Sequence, residues 1–467
     1  MFKSEAKQAF GVTAITSGRM EERITYWMNI YRGEPEWVDP ENRIKTINFA
    51  KTIASETARL AVLDIGVEFD GKRAEYMRKW NDAAVMPKLR QWIEYGCAAG
   101  TIILKPNGTG VDIFTPGNFE ITDIDGMGNI MGVTFQDRYK QGDYWYTKLE
   151  HHSFFTANVR YTEEGDRKDV TFYRVQNRAY VSESEGEIGK PCDLVNTKWA
   201  NLESEVNITK SNDEKLNTML FGVFKMPNAN NVDLDSPLGM SVFAEAIEEL
   251  KDLDVAYSRN AQEIWDSESI ELLGETMIQE PGRKIGAAVD LKLPHHVRRI
   301  PGTAGDDFYQ AIERPLNTDK RIVGINHLLS DIGYKCGFSN GYFVLDQKTG
   351  AITATQVEAD DRRTIQMIKD VRENMQKCLI DLYYAQSVFA DLYGYAPVGD
   401  YEPTFSFGDI TYSYEEDKAR WWSYVQAGKV PFWKYLMKFE KMSEKEAKEL
   451  ALAAQEENKD EGLFDEE

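Results

Sequence analysis

The stretch "GFSNG", Gly337–Gly341, has the G-x-S-x-G spacing that holds a serine nucleophile on a sharp strand-to-helix turn, with Ser339 as the nucleophile. That elbow needs a helix after it and a histidine later in the chain. Here "YFVLDQ" follows and all five histidines come earlier, so the segment reads as a flexible loop tip. Glu358, Asp360 and Asp361 could hold a divalent metal as nuclease carboxylates do. Acids in a first helical turn are favoured by the macrodipole and by capping alone, and that is the preferred reading. His151-His152 and His295-His296 are further ligand candidates, but neighbours on a strand face opposite ways and no cysteine or third histidine stands at ligand spacing. Both pairs read as surface or interface histidines, and His327 as a lone histidine on an amphipathic helix. No G-x-x-x-x-G-K-[ST] occurs, and "DGMGNIMG" misses G-x-G-x-x-G, which speaks against nucleotide hydrolysis and dinucleotide binding. No catalytic residue, cofactor site or metal site is expected, and the chain does not read as an enzyme.

Charge is more informative. The 467 residues carry a formal net charge of -22, which argues against nonspecific grip on nucleic acid or on an anionic membrane, because such affinity comes from Lys and Arg displacing counterions from phosphates. Between Ser241 and Glu268 stand Glu245, Glu248, Glu249, Asp252, Asp254, Glu263, Asp266 and Glu268 against only Lys251 and Arg259. From Gly282 to Gly302 the sign reverses, with Arg283, Lys284, Lys292, Arg298 and Arg299 against Asp290. That local reversal suits a solvated turn tip, a docking surface for an acidic partner or end-on contact to DNA. The four cysteines are isolated, as free thiols of a reducing cytoplasm would be. No run approaches the roughly 18 apolar residues of a membrane span.

These residues need elements to position them. Helical periodicity fills the first hundred residues, with "MPKLRQWIEYGCAAG" starting at proline and stopping at glycine. Short β-branched and aromatic runs then predict antiparallel hairpins to about residue 225. A helix follows "DSPLG" with Ser241 as its N-cap. Short strands occupy about 268–305, and a second helix over 306–331 is strained or kinked near Pro315. After the loop "YKCGFSNGYFVLDQKTGAI", Thr355 and Glu358 form a capping box for a helix reaching about Leu392, roughly 55 Å at 1.5 Å per residue. A strand in "PTFSFGDITYS", two helices divided near Gly428 and Pro431, and a last helix capped by Ser443 and Glu446 close the chain before an acidic tail. The fold class is α+β, mainly helical.

Four segments in this order resemble the portal proteins of tailed double-stranded-DNA bacteriophages, the siphophage type in particular. They are "PNANNVDLDSPLGMSVFAEAIEELKDLDVAYS", "GAITATQVEADDRRTIQMIKDVRENMQKCL", "FTPGNFEITDIDGMGNIMGVTF" and "YVQAGKVPFWKYLMKFEKMSEKEAKE". The similarity runs from about residue 40 to 455. The resemblance implies a portal fold: a wing over 1–235, a stem helix over 236–267, a clip over 268–305 and a second stem helix over 306–332. A tunnel loop over 333–353, a long wing helix and returning strand over 354–415, crown helices over 416–455 and a disordered acidic tail over 456–467 complete it.

The resemblance further implies a dodecameric ring at one capsid vertex, assembled in the host cytoplasm and kept in the virion. Double-stranded DNA would be packaged through it by the large terminase and later ejected into the tail. The partners implied are the terminase, head-completion or adaptor proteins, and the major capsid and scaffolding proteins, with no membrane. On that reading Lys335, Asn340, Gln347 and Lys348 of the tunnel loop touch the duplex backbone without reading bases, and Glu245, Glu248, Glu249 and Asp252 face the bore and repel phosphates. Arg283, Lys284, Arg298 and Arg299 dock partners at the clip, while Arg362 and Arg363 stay free for a neighbouring subunit. The alternatives are another virion structural protein, such as a minor head or connector component, and a metal-dependent nucleic-acid enzyme.

Overall fold

The computed structural model describes residues 2–160, 167–209, 216, 218–266, 270–274, 297–300, 309–312, 316–344, 354–408, 414–426, 429–440, 442 and 445–452. The chain forms two compact units, one of Met1–Val62 with Gly66–Phe405 and one of Leu63–Ile65 with Ser406–Glu467.

The larger unit opens with α1 (Lys3–Phe10), α2 (Gly18–Arg32) and α3 (Phe49–Ala61), then β1 (Gly66–Asp70) and α4 (Ala74–Trp80). A π-turn over Asn81–Val85 joins α4 to α5 (Met86–Ala99). The α2 helix begins where the Ser17 side chain accepts the Met20 amide and ends where Gly33 turns left-handed. The α3 helix starts only at Phe49, because Asn48 sits at φ 52, a left-handed residue that interrupts the helical texture before it.

Next come β2 (Thr101–Pro106), β3 (Val111–Phe114), β4 (Phe119–Ile124), β5 (Ile130–Gln141), β6 (Tyr144–Arg160), β7 (Arg167–Ser182), β8 (Lys190–Cys192), β9 (Glu205–Ile208) and β10 (Gly222–Lys225). The order β4-β5-β6-β7-β8 makes an antiparallel sheet, with β9 also on β7. A smaller sheet, β10-β2-β3, carries Ile102, Ile103 and Leu104, none of which is exposed. The aromatic rings of Phe114, Phe135 and Phe221 pack together, Phe114 tilted on Phe135 with centroids 4.4 Å apart and Phe221 edge-on to Phe135 at 5.4 Å. Here the hairpins expected up to residue 225 form two sheets that share one core.

The helix expected from Ser241 begins later, as α6 (Ile247–Asp266). Ser241 is instead buried and donates its hydroxyl to the Cys97 carbonyl at 3.4 Å, in a segment tied to the end of α5 and the start of β2. The Val242 amide donates to Cys97 at 2.9 Å and the Gly239 amide to the Thr101 hydroxyl at 2.8 Å, so these bonds replace helical ones. At this seam Gly100 (φ 82) and Gly239 lie back to back. A Cβ on Gly100 would meet the Gly239 oxygen at 2.3 Å, and one on Gly239 would meet the Gly100 oxygen at 2.4 Å.

Beyond α6, β11 (Ile270–Gly274) pairs parallel with β12 (Val297–Ile300) and antiparallel with β13 (Tyr309–Ile312). The second helix expected over 306–331 therefore starts later: the first part of that range includes β13, and α7 runs Thr318–Lys335. Pro315, near which strain or a kink was expected, lies outside the described residues. The next element, α8 (Ala354–Tyr393), has 40 residues, about 60 Å at 1.5 Å per residue. Because α8 already includes Thr355, that residue lies in the first turn rather than at the cap. Ile368, Val371, Met375, Leu379 and Leu382 form its buried stripe. The stripe packs on β10, where Gly222 approaches so closely that a Cβ would stand 2.1 Å from the Cys378 carbonyl. The strand β14 (Glu402–Ser406) returns to pair with β1.

The smaller unit contains α9 (Tyr414–Gln426), α10 (Phe432–Phe439) and a helical stretch over 445–452, packed around Tyr435, Leu436, Phe439 and Ala447. Ser443, the expected cap of the last helix, and the acidic tail lie outside the described residues.

Candidate functional site

The helices α6 and α7 run antiparallel. Near the end of α6, Glu263 meets Arg321 and accepts the Asn317 amide at 3.2 Å, while at its start Glu249 meets Lys335 at 2.5 Å. Leu250, Leu253, Ile325, Leu329 and Ile332 are buried. The opposite surface is unusual. Trp265 is 74% exposed, Val323 69%, Ile264 51%, Leu316 50% and Tyr257 44%. Large apolar side chains left exposed together on one hairpin mark an interaction surface.

Of the four acids expected to face a bore, Glu245, Glu248 and Asp252 are exposed. Glu249 is not a free acid, since it is half-buried and paired with Lys335. By the same contact Lys335 is no loop residue: it ends α7. Asn340 is exposed, and Gln347 and Lys348 lie outside the described residues. Ser339, read as part of a flexible tip, is instead buried, and its amide and hydroxyl both meet the Thr364 hydroxyl, at 2.8 and 2.9 Å. Phe338 beside it is fully buried and packs edge-on against Phe343, with centroids 4.8 Å apart. The segment is tied to α8 by the Ser339–Thr364 hydrogen bonds and packed by its own aromatic residues.

Arg362 is exposed. Arg363 is not free for a neighbour, because its guanidinium donates to the Tyr334 carbonyl at 2.9 Å and lies 3.9 Å from the Tyr334 ring centroid. Arg298 and Arg299 stand on β12 opposite Leu272 and Leu273. Their side chains, those of Glu358, Asp360 and Asp361, and the whole of Arg283, Lys284, His295 and His296 lie outside the described residues.

The sequence reasoning also missed a buried charged hub. Lys148, Glu150 and His152 alternate on one face of β6, and that face packs on Lys105 of β2. Glu150 takes Lys105 and His152 on one oxygen and Lys148 at 2.6 Å on the other. His152 reaches Glu150 through Nε2 and the Tyr173 hydroxyl through Nδ1, both at 2.6 Å. Because that hydroxyl also accepts the Leu220 amide at 3.2 Å, it donates to Nδ1, leaving the Nε2 proton for Glu150. Burial opposes ionisation of Glu150, but Lys105 and Lys148 prevail and hold its carboxyl well below the usual range. Burial lowers the pKa of His152 and pushes His151 down to about 4. The expected surface pair is therefore buried, each histidine only 4% exposed, with His151 bonded to Thr134 at 3.0 Å on the other face. The i, i+2, i+4 run of Lys148, Glu150 and His152 was the available signal. In isolation it reads as a solvated strand face.

Two cavities flank these elements. One, about 600 Å³, is lined by Lys148, Arg138 and Lys198, but each cation already has a partner: Glu150, the Thr147 hydroxyl at 2.9 Å and Asp137 at 3.2 Å respectively. The other, about 530 Å³, lies between β10 and α8 and is lined by Lys225, Asn374, Lys377 and Asp381. Burial lowers the pKa of Lys225 and pushes Asp381 up to about 6. Among the described residues no group of three or more His, Cys, Asp or Glu could hold a metal, and no helix is long and apolar enough to cross a membrane. No protein-family model and no curated protein matches the chain.

Proposed function

We propose that the chain is the subunit of a ring-shaped DNA conduit, a portal protein of the tailed-phage type, through which a genome is packaged by a terminase and later ejected. The observation that carries this reading is the α6–α7 hairpin, which spans a small three-stranded unit, leaves Trp265 and Val323 74% and 69% exposed, and is followed at once by the 40-residue α8. That is the order of stem, clip, stem and wing helix that the sequence resemblance implies.

A second copy would cover the exposed apolar side chains, and repeated head-to-tail contacts close a ring when their rotation divides a full turn. In such a ring the exposed Glu245, Glu248 and Asp252 repel phosphates and offer no counterion release, so a duplex slides without being held. The basic stretch around Arg298 and Arg299 is the docking point for terminase or head-completion proteins. In the virion the ring occupies one capsid vertex.

Purified protein imaged by electron microscopy is expected to show rings with a central hole wide enough for a duplex. The double substitution Trp265→Lys with Val323→Lys is expected to yield folded subunits that no longer close. A wild-type protein that stays monomeric or dimeric at micromolar concentration would overturn the proposal.

A further inference from the structure

The least satisfied group among the described residues is Glu120 on β4. It is fully buried, and neither carboxylate oxygen has a hydrogen-bond partner. Such a group is exceptional, since buried polar atoms in folded proteins are almost always paired. Glu120 stands in a row across the sheet, opposite Thr134 of β5, which is in turn opposite His151 of β6. Helix α1 covers this part of the sheet. Phe2 and Ala6 pack with Leu149 and Tyr180, and the Phe10 ring stacks on His151 at 5.3 Å.

The charged groups acting on Glu120 come from α1 and α2. Glu21 of α2 disfavours the carboxylate, whereas Lys3 of α1 favours it. Lys3 is committed elsewhere, to the Thr16 carbonyl and to Glu21 at 2.9 Å. The Phe2 amide comes close enough to favour the charged form without reaching hydrogen-bond geometry. His151, bonded to Thr134, is neutral above pH about 4.

We propose that Glu120 makes α1 a proton-latched arm, docked on the sheet while the carboxyl carries its proton and released as the carboxyl ionises. Docking buries the group away from water, and lifting α1 returns it to solvent. This inference stands on the geometry of the larger unit alone and does not depend on the conduit reading.

Burial is the main cause that raises the Glu120 pKa from 4.5 to about 7, so the docked form binds the proton more tightly than the released form. A raised native value stabilises docking fully below pH 4.5, and that contribution is lost as pH rises to about 7. Across the window the docking constant falls about tenfold per pH unit, then levels.

Hydrogen exchange of the α1 amides between pH 5 and 8, corrected for intrinsic rates, tests this on the full chain. Wild-type protection is expected to fall about tenfold per unit up to pH 7, and in Glu120→Gln to be independent of pH. Glu21→Gln removes the repelling neighbour and is expected to shift the end of the fall to lower pH, which provides a second readout should Glu120→Gln fold poorly. Flat wild-type protection, the same slope in Glu120→Gln, or an unmoved transition in Glu21→Gln overturns the proposal.

Discussion

Replacing Glu150 with Gln keeps the shape of the hub and removes its only negative charge. Lys105 and Lys148 are 7% and 8% exposed, so neither can recover hydration without opening the seam between the two sheets. The Gln oxygen can still accept the His152 proton, so the loss is one of charge balance rather than of volume. Breaking a buried pair by removing one partner costs about 3–5 kcal/mol, because an uncompensated charge is left behind. Urea unfolding at pH 7, followed by tryptophan fluorescence, should show that loss in Glu150→Gln. A triple replacement, Lys105→Met with Lys148→Met and Glu150→Leu, should recover part of that loss, since it removes both buried cations and leaves only the His152 Nε2 proton unpaired. The pH dependence has a definite sign. The Glu150 carboxyl is held below its ordinary value of 4.5 in the fold, so its stabilisation is present above pH 4.5 and is lost as pH falls through the lower native value. The variant should lack that part of the acid limb. A change below about 1 kcal/mol in Glu150→Gln would refute the charge-balance argument.

Asp381 behaves in the opposite sense. Burial raises it from 3.8 to about 6, so its contribution is complete below pH 3.8 and lost as pH rises through about 6. Asp381→Asn is expected to raise the urea midpoint at pH 8 relative to the wild type and to leave it nearly unchanged at pH 4. Gly222→Ala drives a methyl to 2.1 Å from the Cys378 carbonyl and should destabilise by about 1–3 kcal/mol, read as a lower denaturation midpoint with an unchanged slope.

The sequence disclosed elements whose boundaries are set locally. Pro87 and Gly100 mark α5, and a stripe recurring every three or four residues marks α8. Elements set by distant partners were hidden. The α6 helix starts at Ile247 rather than beside Ser241 because Cys97 and Thr101 claim the preceding backbone. Residues 309–312 pair with β11 instead of extending α7, a choice no local propensity dictates. Of the candidate site, the acidity of α6 was legible, but the Lys335–Glu249 and Arg363–Tyr334 contacts were not. They join residues 86 and 29 positions apart, and side-chain type says nothing about such pairings. The burial of His151 and His152 was equally invisible, because one face of β6 is covered by a second sheet and the other by α1.

The paired glycines at positions 100 and 239 have a consequence for how this chain can diverge. A methyl on either one collides with the carbonyl of the other at 2.3–2.4 Å, so no substitution at one site can be relieved by a compensating change at its partner. Each position is held to glycine by the other's backbone, whatever side chains surround them. That immobility pins the last turn of α5 to the approach to α6, so lineages that vary every charge on the hairpin would still present it from the same anchor point.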